Sequence, residues 1–154
     1  MLDNISLSEK RVLIRVDYNV PIQNGIILDN YRIKKSFPII NYCLDKGASI
    51  ILMSHLGRPK TIDSNYSLLP VCDELEKLLN KPIIFSNDCI SDESIIKSSS
   101  LEAGQIHFLE NLRFHLGEID NCPKFSQKLS FHGDVYINDA FGTAHRSHAS
   151  NVGL

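Results

Sequence analysis

Three stretches set arginine beside histidine, asparagine or glycine: SHLGRPK (54–60), ENLRF (110–114) and DAFGTAHRSHAS (139–150). They supply His55, Leu56, Gly57 and Arg58, then Arg113, then His145, Arg146 and His148. Upstream, Asp17 and Asn19 flank Tyr18 ahead of Pro21, Arg15 sits inside an apolar run, and Arg32 follows Asp29 and Asn30. A guanidinium is a planar fork of donors that matches a carboxylate or a phosphate, and it is favoured over lysine where geometry matters. The chain has six arginines, and most of them fall in or beside these segments, whereas the lysines are scattered. With 16 basic against 18 acidic residues and a net charge of −2, this pattern describes a local anion site, not a basic surface.

Taken singly, each residue has a plainer use. Arg15 can pair with a buried carboxylate, Arg32 can be a helix-surface charge, and Asp17 with Asn19 can be turn chemistry. His145 and His148 suggest a metal, yet no carboxylate or third histidine stands beside them at ligand spacing. His107 and His132 read as filling of the interior, and His115 as little more. There is no G-x-x-x-x-G-K-[ST] loop, no G-x-G-x-x-G after a strand and no nucleophile-elbow motif. Chemistry on a bound anion would therefore need a nucleotide or nucleophile held elsewhere.

These residues need elements to position them. RVLIRVD (11–17), ASIILMS (48–54), PIIF (82–85), QIHFLE (105–110) and DVYIND (134–139) are short apolar runs that read as strands. Being nearly continuous, they predict burial on both faces, as in a parallel sheet. Between them, Ile33, Phe37, Ile40 and Leu44 share one helical face, with Pro38 expected to kink or break the helix and Gly47 to end it. In SLLPVCDELEKLLNK, Ser67 can cap, Pro70 lies in the first turn, and Leu68, Val71, Cys72, Leu75, Leu78 and Leu79 form a stripe. Weaker helices are expected near 92–99 and 123–131. Strands alternating with helices predict right-handed βαβ units, and the polar motifs all follow strands, so they should converge beyond the carboxyl ends of the sheet.

Composition narrows the rest. At 154 residues the chain can bury one core but not two large domains. The four cysteines, Cys43, Cys72, Cys89 and Cys122, include no C-x-x-C pair and read as thiols in a reducing cytosol. No stretch has the length of a signal peptide or a membrane span.

RVLIRVDYNVP, DNYRI, SHLGRPK, ENLRFH and DVYINDAFGTAHRSHAS, in this order and at about these spacings, resemble the amino-terminal domain of phosphoglycerate kinase. The likeness runs from about Lys10 to Leu154, with Tyr18 and Ser147 as mild departures. It implies an α/β, three-layer Rossmann-like domain with a mainly parallel sheet flanked by helices. It also implies a glycolytic and gluconeogenic phosphotransferase acting between 1,3-bisphosphoglycerate and ADP to give 3-phosphoglycerate and ATP. By the same resemblance, Asp17 and Asn19 hold the substrate's hydroxyl and carboxylate end. His55, Leu56, Gly57, Arg58, Arg113 and Arg146 surround its 3-phosphate, and Arg32 is the catalytic arginine beside the carboxylate that becomes the acyl phosphate. Arg15, His145 and His148 complete a supporting basic patch.

Because the family's chain is more than twice this long, residues 1–154 are expected to be an incomplete substrate-binding domain, inactive alone. The nucleotide domain, which would hold Mg-ATP or Mg-ADP, is missing from it. No metal, nucleotide, nucleic-acid or membrane site is expected in these residues. The expected protein is a cytoplasmic monomer. The alternative is a stand-alone domain binding a small phosphorylated acid, and coding sequence beyond Leu154 separates the two. A nucleic-acid or protein interaction module would instead show steeply salt-dependent polyanion binding.

Overall fold

The computed structural model describes residues 6–59, 61–115 and 122–139. Five parallel strands form its sheet: β1 (Arg11–Arg15), β4 (Ser49–Met53), β5 (Ile83–Ser86), β6 (Ile106–Leu109) and β7 (Val135–Asn138), in the order β5-β6-β4-β1-β7. The central strands β1, β4 and β6 are buried almost throughout, while the edge strands β5 and β7 are only partly covered. Successive side chains leave opposite faces of a strand. Accordingly Val12, Ile14, Ile50 and Leu52 enter one apolar cluster, and Leu13, Ile51 and Met53 enter another.

Helices α1 (Tyr31–Lys35), α2 (Phe37–Asp45) and α3 (Leu69–Leu79) cover the first face through Ile33, Ile40, Cys43, Val71, Cys72 and Leu75. On the second face lies α5 (Pro123–Ser130), with Phe125 and Leu129 inward, while α4 (Asp92–Ser99) packs on β6. Three layers result, and the fold is the three-layer Rossmann-like α/β domain expected.

Some local features differ from the sequence reading. The helix predicted across Pro38 is two helices, because Ser36 ends α1 by bonding back to Ile33 and Pro38 sits in the first turn of α2, where its missing N–H is harmless. Ser67 is not the N-cap residue of α3. Its hydroxyl donates to Glu110 (2.6 Å) and accepts from the Leu69 amide, while the other Glu110 oxygen accepts from the Leu68 amide at 2.7 Å. A carboxylate at the end of β6 thus satisfies the start of α3.

A small hairpin, β2 (Ile22–Gln23) with β3 (Ile26–Ile27), was not anticipated, although Asn24–Gly25 signals it: both have positive φ, as a type I′ turn requires. His107 and His132 do more than fill space. They belong to a buried chain, Ser86–His107–Ser98–His132, that ends on the Cys89 carbonyl.

Candidate functional site

The described part of the site is built from loops that leave the carboxyl ends of β1, β4 and β6. Beyond β1, Asp17 accepts from the Asn19 amide (3.2 Å), the turn chemistry that the sequence allowed. The same oxygen accepts from Arg32 on α1 at 3.0 Å, and Arg32 also donates to the Asn19 carbonyl. Arg32 is therefore both a half-exposed surface charge, with 49% of its side chain accessible, and the clamp that holds the β1 loop.

The β4 loop is fastened from two sides. The Asn19 side-chain oxygen accepts from the Gly57 amide at 2.9 Å, and Arg113 donates to the Gly57 carbonyl at 3.0 Å. Gly57 has φ +61, and a Cβ there would stand 2.4 Å from the Tyr66 ring, so only glycine lets the loop close. Arg58 follows with its side chain exposed, whereas Arg113 is 6% exposed.

Arg15 is wholly buried and contacts His55 through Nη2 and Nδ1 at 3.1 Å. A guanidinium only donates, so His55 Nδ1 accepts and the imidazole is neutral with its proton on Nε2. At the end of β7, Asp139 is held to β1 by its amide, which donates to the Arg15 carbonyl at 2.7 Å. Burial raises its carboxyl above the usual range, against the opposing effect of Lys35.

Asp17, Asn19, Arg32, Gly57 and Arg113 thus form one connected set, with Arg15 and His55 as a buried pair. Leu56 is buried and bonded to Asn111. His145, Arg146 and His148 lie outside the described residues.

Sequence reasoning passed over Asn111. Its side-chain oxygen accepts from the Leu56 and Arg113 amides, and its Nδ2 donates to the Leu56 and Tyr66 carbonyls. One amide thereby sets the spacing between the β4 and β6 loops. The available signal was its place in ENLRF, directly between the strand and the arginine. Ser54 plays a similar part, its hydroxyl accepting from the Tyr18 amide and its carbonyl from the Leu112 amide.

This set suits a small multivalent anion. Each charge-assisted hydrogen bond to such a ligand contributes about 1.5–3 kcal/mol net. The sequence model of the family described as phosphoglycerate kinase matches residues 2–154. This chain belongs to the phosphoglycerate kinase family.

Individual comparisons agree. The phosphoglycerate kinase of Dictyoglomus turgidum is 50% identical over 148 residues, which cover 96% of this chain and 37% of that protein. That of Moorella thermoacetica is 49% identical over 154 residues, 99% of this chain and 39% of the relative. Among solved structures, phosphoglycerate kinase from Coxiella burnetii superposes with a TM-score of 0.88 at 38% identity, covering 99% of this chain and 38% of its own. The Pyrococcus horikoshii OT3 enzyme gives 0.89 at 34%, with 99% and 39% covered. The chain therefore spans less than two fifths of the length of these phosphoglycerate kinases.

Proposed function

We propose that residues 1–154 are the 3-phosphoglycerate-binding part of a phosphoglycerate kinase whose nucleotide-binding domain lies outside them. In the whole enzyme a phosphoryl group would pass reversibly between 1,3-bisphosphoglycerate and ADP. The observation that carries this reading is the convergence of Arg32, Gly57 and Arg113 on the loops beyond β1 and β4, in a chain matched end to end by the family. Asp17 and Asn19 would face the hydroxyl and carboxylate end of the substrate, and Arg58, Arg113, His55 and Arg146 its phosphate.

In the whole enzyme the magnesium nucleotide would be held by the part outside these residues. Within them, Asp17 is committed to Arg32 and Asn19. The work of these residues is to bind and orient. Phosphoryl transfer depends on positioning and charge stabilisation more than on covalent chemistry from the protein. Arg32 stands free to exchange its Asp17 bond for the transferring group, so its removal should lower turnover of the whole enzyme more than substrate affinity.

The test uses the purified chain. With magnesium ATP and 3-phosphoglycerate it should transfer no phosphoryl group above an Arg32→Ala control. In NMR titrations 3-phosphoglycerate should shift the Asn19 and Gly57 amides where glycerate at equal concentration does not. Transfer above the control, or equal response to glycerate, would contradict the reading.

A further inference from the structure

Away from the arginines, the described residues gather one further group of strong ligands: Asp88, Cys89 and His115, with one ligand atom from each within 4.8 Å of the other two. Asp88 and Cys89 follow β5, and His115 follows the single turn Leu112–Phe114 beyond β6, so neighbouring parallel strands deliver all three to the same end of the sheet. The chemistry is oxygen, sulfur and nitrogen. Thiolate and imidazole favour zinc over magnesium or calcium, and three protein ligands leave a fourth position for water or an incoming group.

We propose that Asp88, Cys89 and His115 form a zinc site whose fourth coordination position is open to solvent.

The geometry is close to what the ion needs. His115 Nε2 and Asp88 Oδ1 share a hydrogen bond of 2.5 Å. Around tetrahedral zinc two such ligand atoms stand roughly 3.3 Å apart, so the pair must open by less than about 1 Å. Zinc would displace the proton of the Cys89 thiol, and His115 would coordinate through Nε2 with its ring proton on Nδ1.

The surroundings fix the ligands in place. The Cys89 amide donates to Asp88 at 2.7 Å, His132 donates to the Cys89 carbonyl at 2.7 Å, and the Phe125 ring lies 5.4 Å from the His115 ring. Such outer contacts orient ligands in known metal centres. Cys89 is buried, while the side chains of Asp88 and His115 are 38% and 26% accessible, so an ion reaches the sulfur from their side. No nucleotide, substrate or second domain is required.

Cobalt(II) is the direct probe, since a thiolate ligand gives a charge-transfer absorption that oxygen and nitrogen ligands do not. Titrating the chelator-treated chain should produce that band, saturate at one equivalent and be reversed by zinc. Cys89→Ser should abolish it. Because Cys89 is buried, Asp88→Asn and His115→Gln supply the same test at accessible positions, each expected to weaken cobalt at least tenfold while the circular dichroism spectrum is kept. A folded wild-type chain with no thiolate band would overturn the proposal. So would a band of undiminished affinity in both accessible variants, which would place the sulfur ligand elsewhere, as at Cys122.

Discussion

The serine–histidine chain behind β6 and the arginine-bearing loops beyond β1 and β4 are both polar assemblies set against an apolar sheet, but they are completed in different ways. In the first, one proton arrangement satisfies every bond. The Cys89 carbonyl can only accept, so His132 carries its proton on Nε2 and accepts at Nδ1 from Ser98. The Ser98 oxygen then accepts from His107 Nδ1, and His107 Nε2 accepts from Ser86 at 2.6 Å. Both imidazoles are neutral, and burial depresses their proton affinity, that of His107 to about 3.

In the second assembly the donors belong to permanently charged guanidiniums, and much of what they hold is loop backbone: Arg32 the Asn19 carbonyl, Arg113 the Gly57 carbonyl. Arg32 and Arg58 remain accessible. A closed, neutral network stabilises the fold, whereas charged donors at an accessible rim can exchange partners for a ligand.

Substitutions should separate these roles. The largest effect is expected for Ser98→Ala, which strips one partner from each buried imidazole. It should cost about 2–6 kcal/mol in denaturant unfolding, at about 1–3 kcal/mol per stranded group, and leave ligand affinity in the surviving folded fraction unchanged.

Acid should act on the same network. Folding lowers the affinity of both histidines for protons, so below about pH 6.5 the unfolded chain binds the extra protons, in a window that for His107 reaches down to about pH 3. The stabilisation is complete above about pH 6.5 and is lost as pH falls, at up to about 1.4 kcal/mol per pH unit for each histidine. A midpoint that did not move across this window would contradict the neutral assignment.

Gly57→Ala strikes the other assembly. Positive φ and the Tyr66 ring together should cost about 1–3 kcal/mol. Because Gly57 links Asn19 to Arg113, ligand binding measured by calorimetry should weaken more than tenfold. Tyr18→Phe should be the mildest of the stability changes. The Tyr18 hydroxyl donates to Ser36 at 2.6 Å, and Ser36 in turn donates to Ile33, so about 0.5–1.5 kcal/mol should be lost in thermal unfolding with binding intact.

The contrast also explains what could be read from the sequence. Strand positions followed from apolar runs, and the polar loops beyond β1, β4 and β6 followed from where those runs end, because both signals are local. Asn111 and Glu110 were legible only as residue types, since their work is to bond segments more than 40 residues away, at Leu56 and Leu68. His107 and His132 likewise looked like filling, because Ser98 joins them across 9 and 34 positions. Asp88 and His115 meet only through the pairing of β5 with β6.

The most direct test is to titrate the chain and its Arg58→Ala variant with 3-phosphoglycerate, using calorimetry together with the backbone amide resonances of Asn19 and Gly57. Arg58 is exposed, so unfolding free energies should agree within about 0.5 kcal/mol. Saturable shifts are expected at both amides in the wild-type chain, with affinity at least about tenfold weaker in the variant for the loss of one charge-assisted bond. Equal affinity in the two proteins, or a folded wild-type chain whose Asn19 and Gly57 amides do not respond, would contradict the proposed 3-phosphoglycerate site.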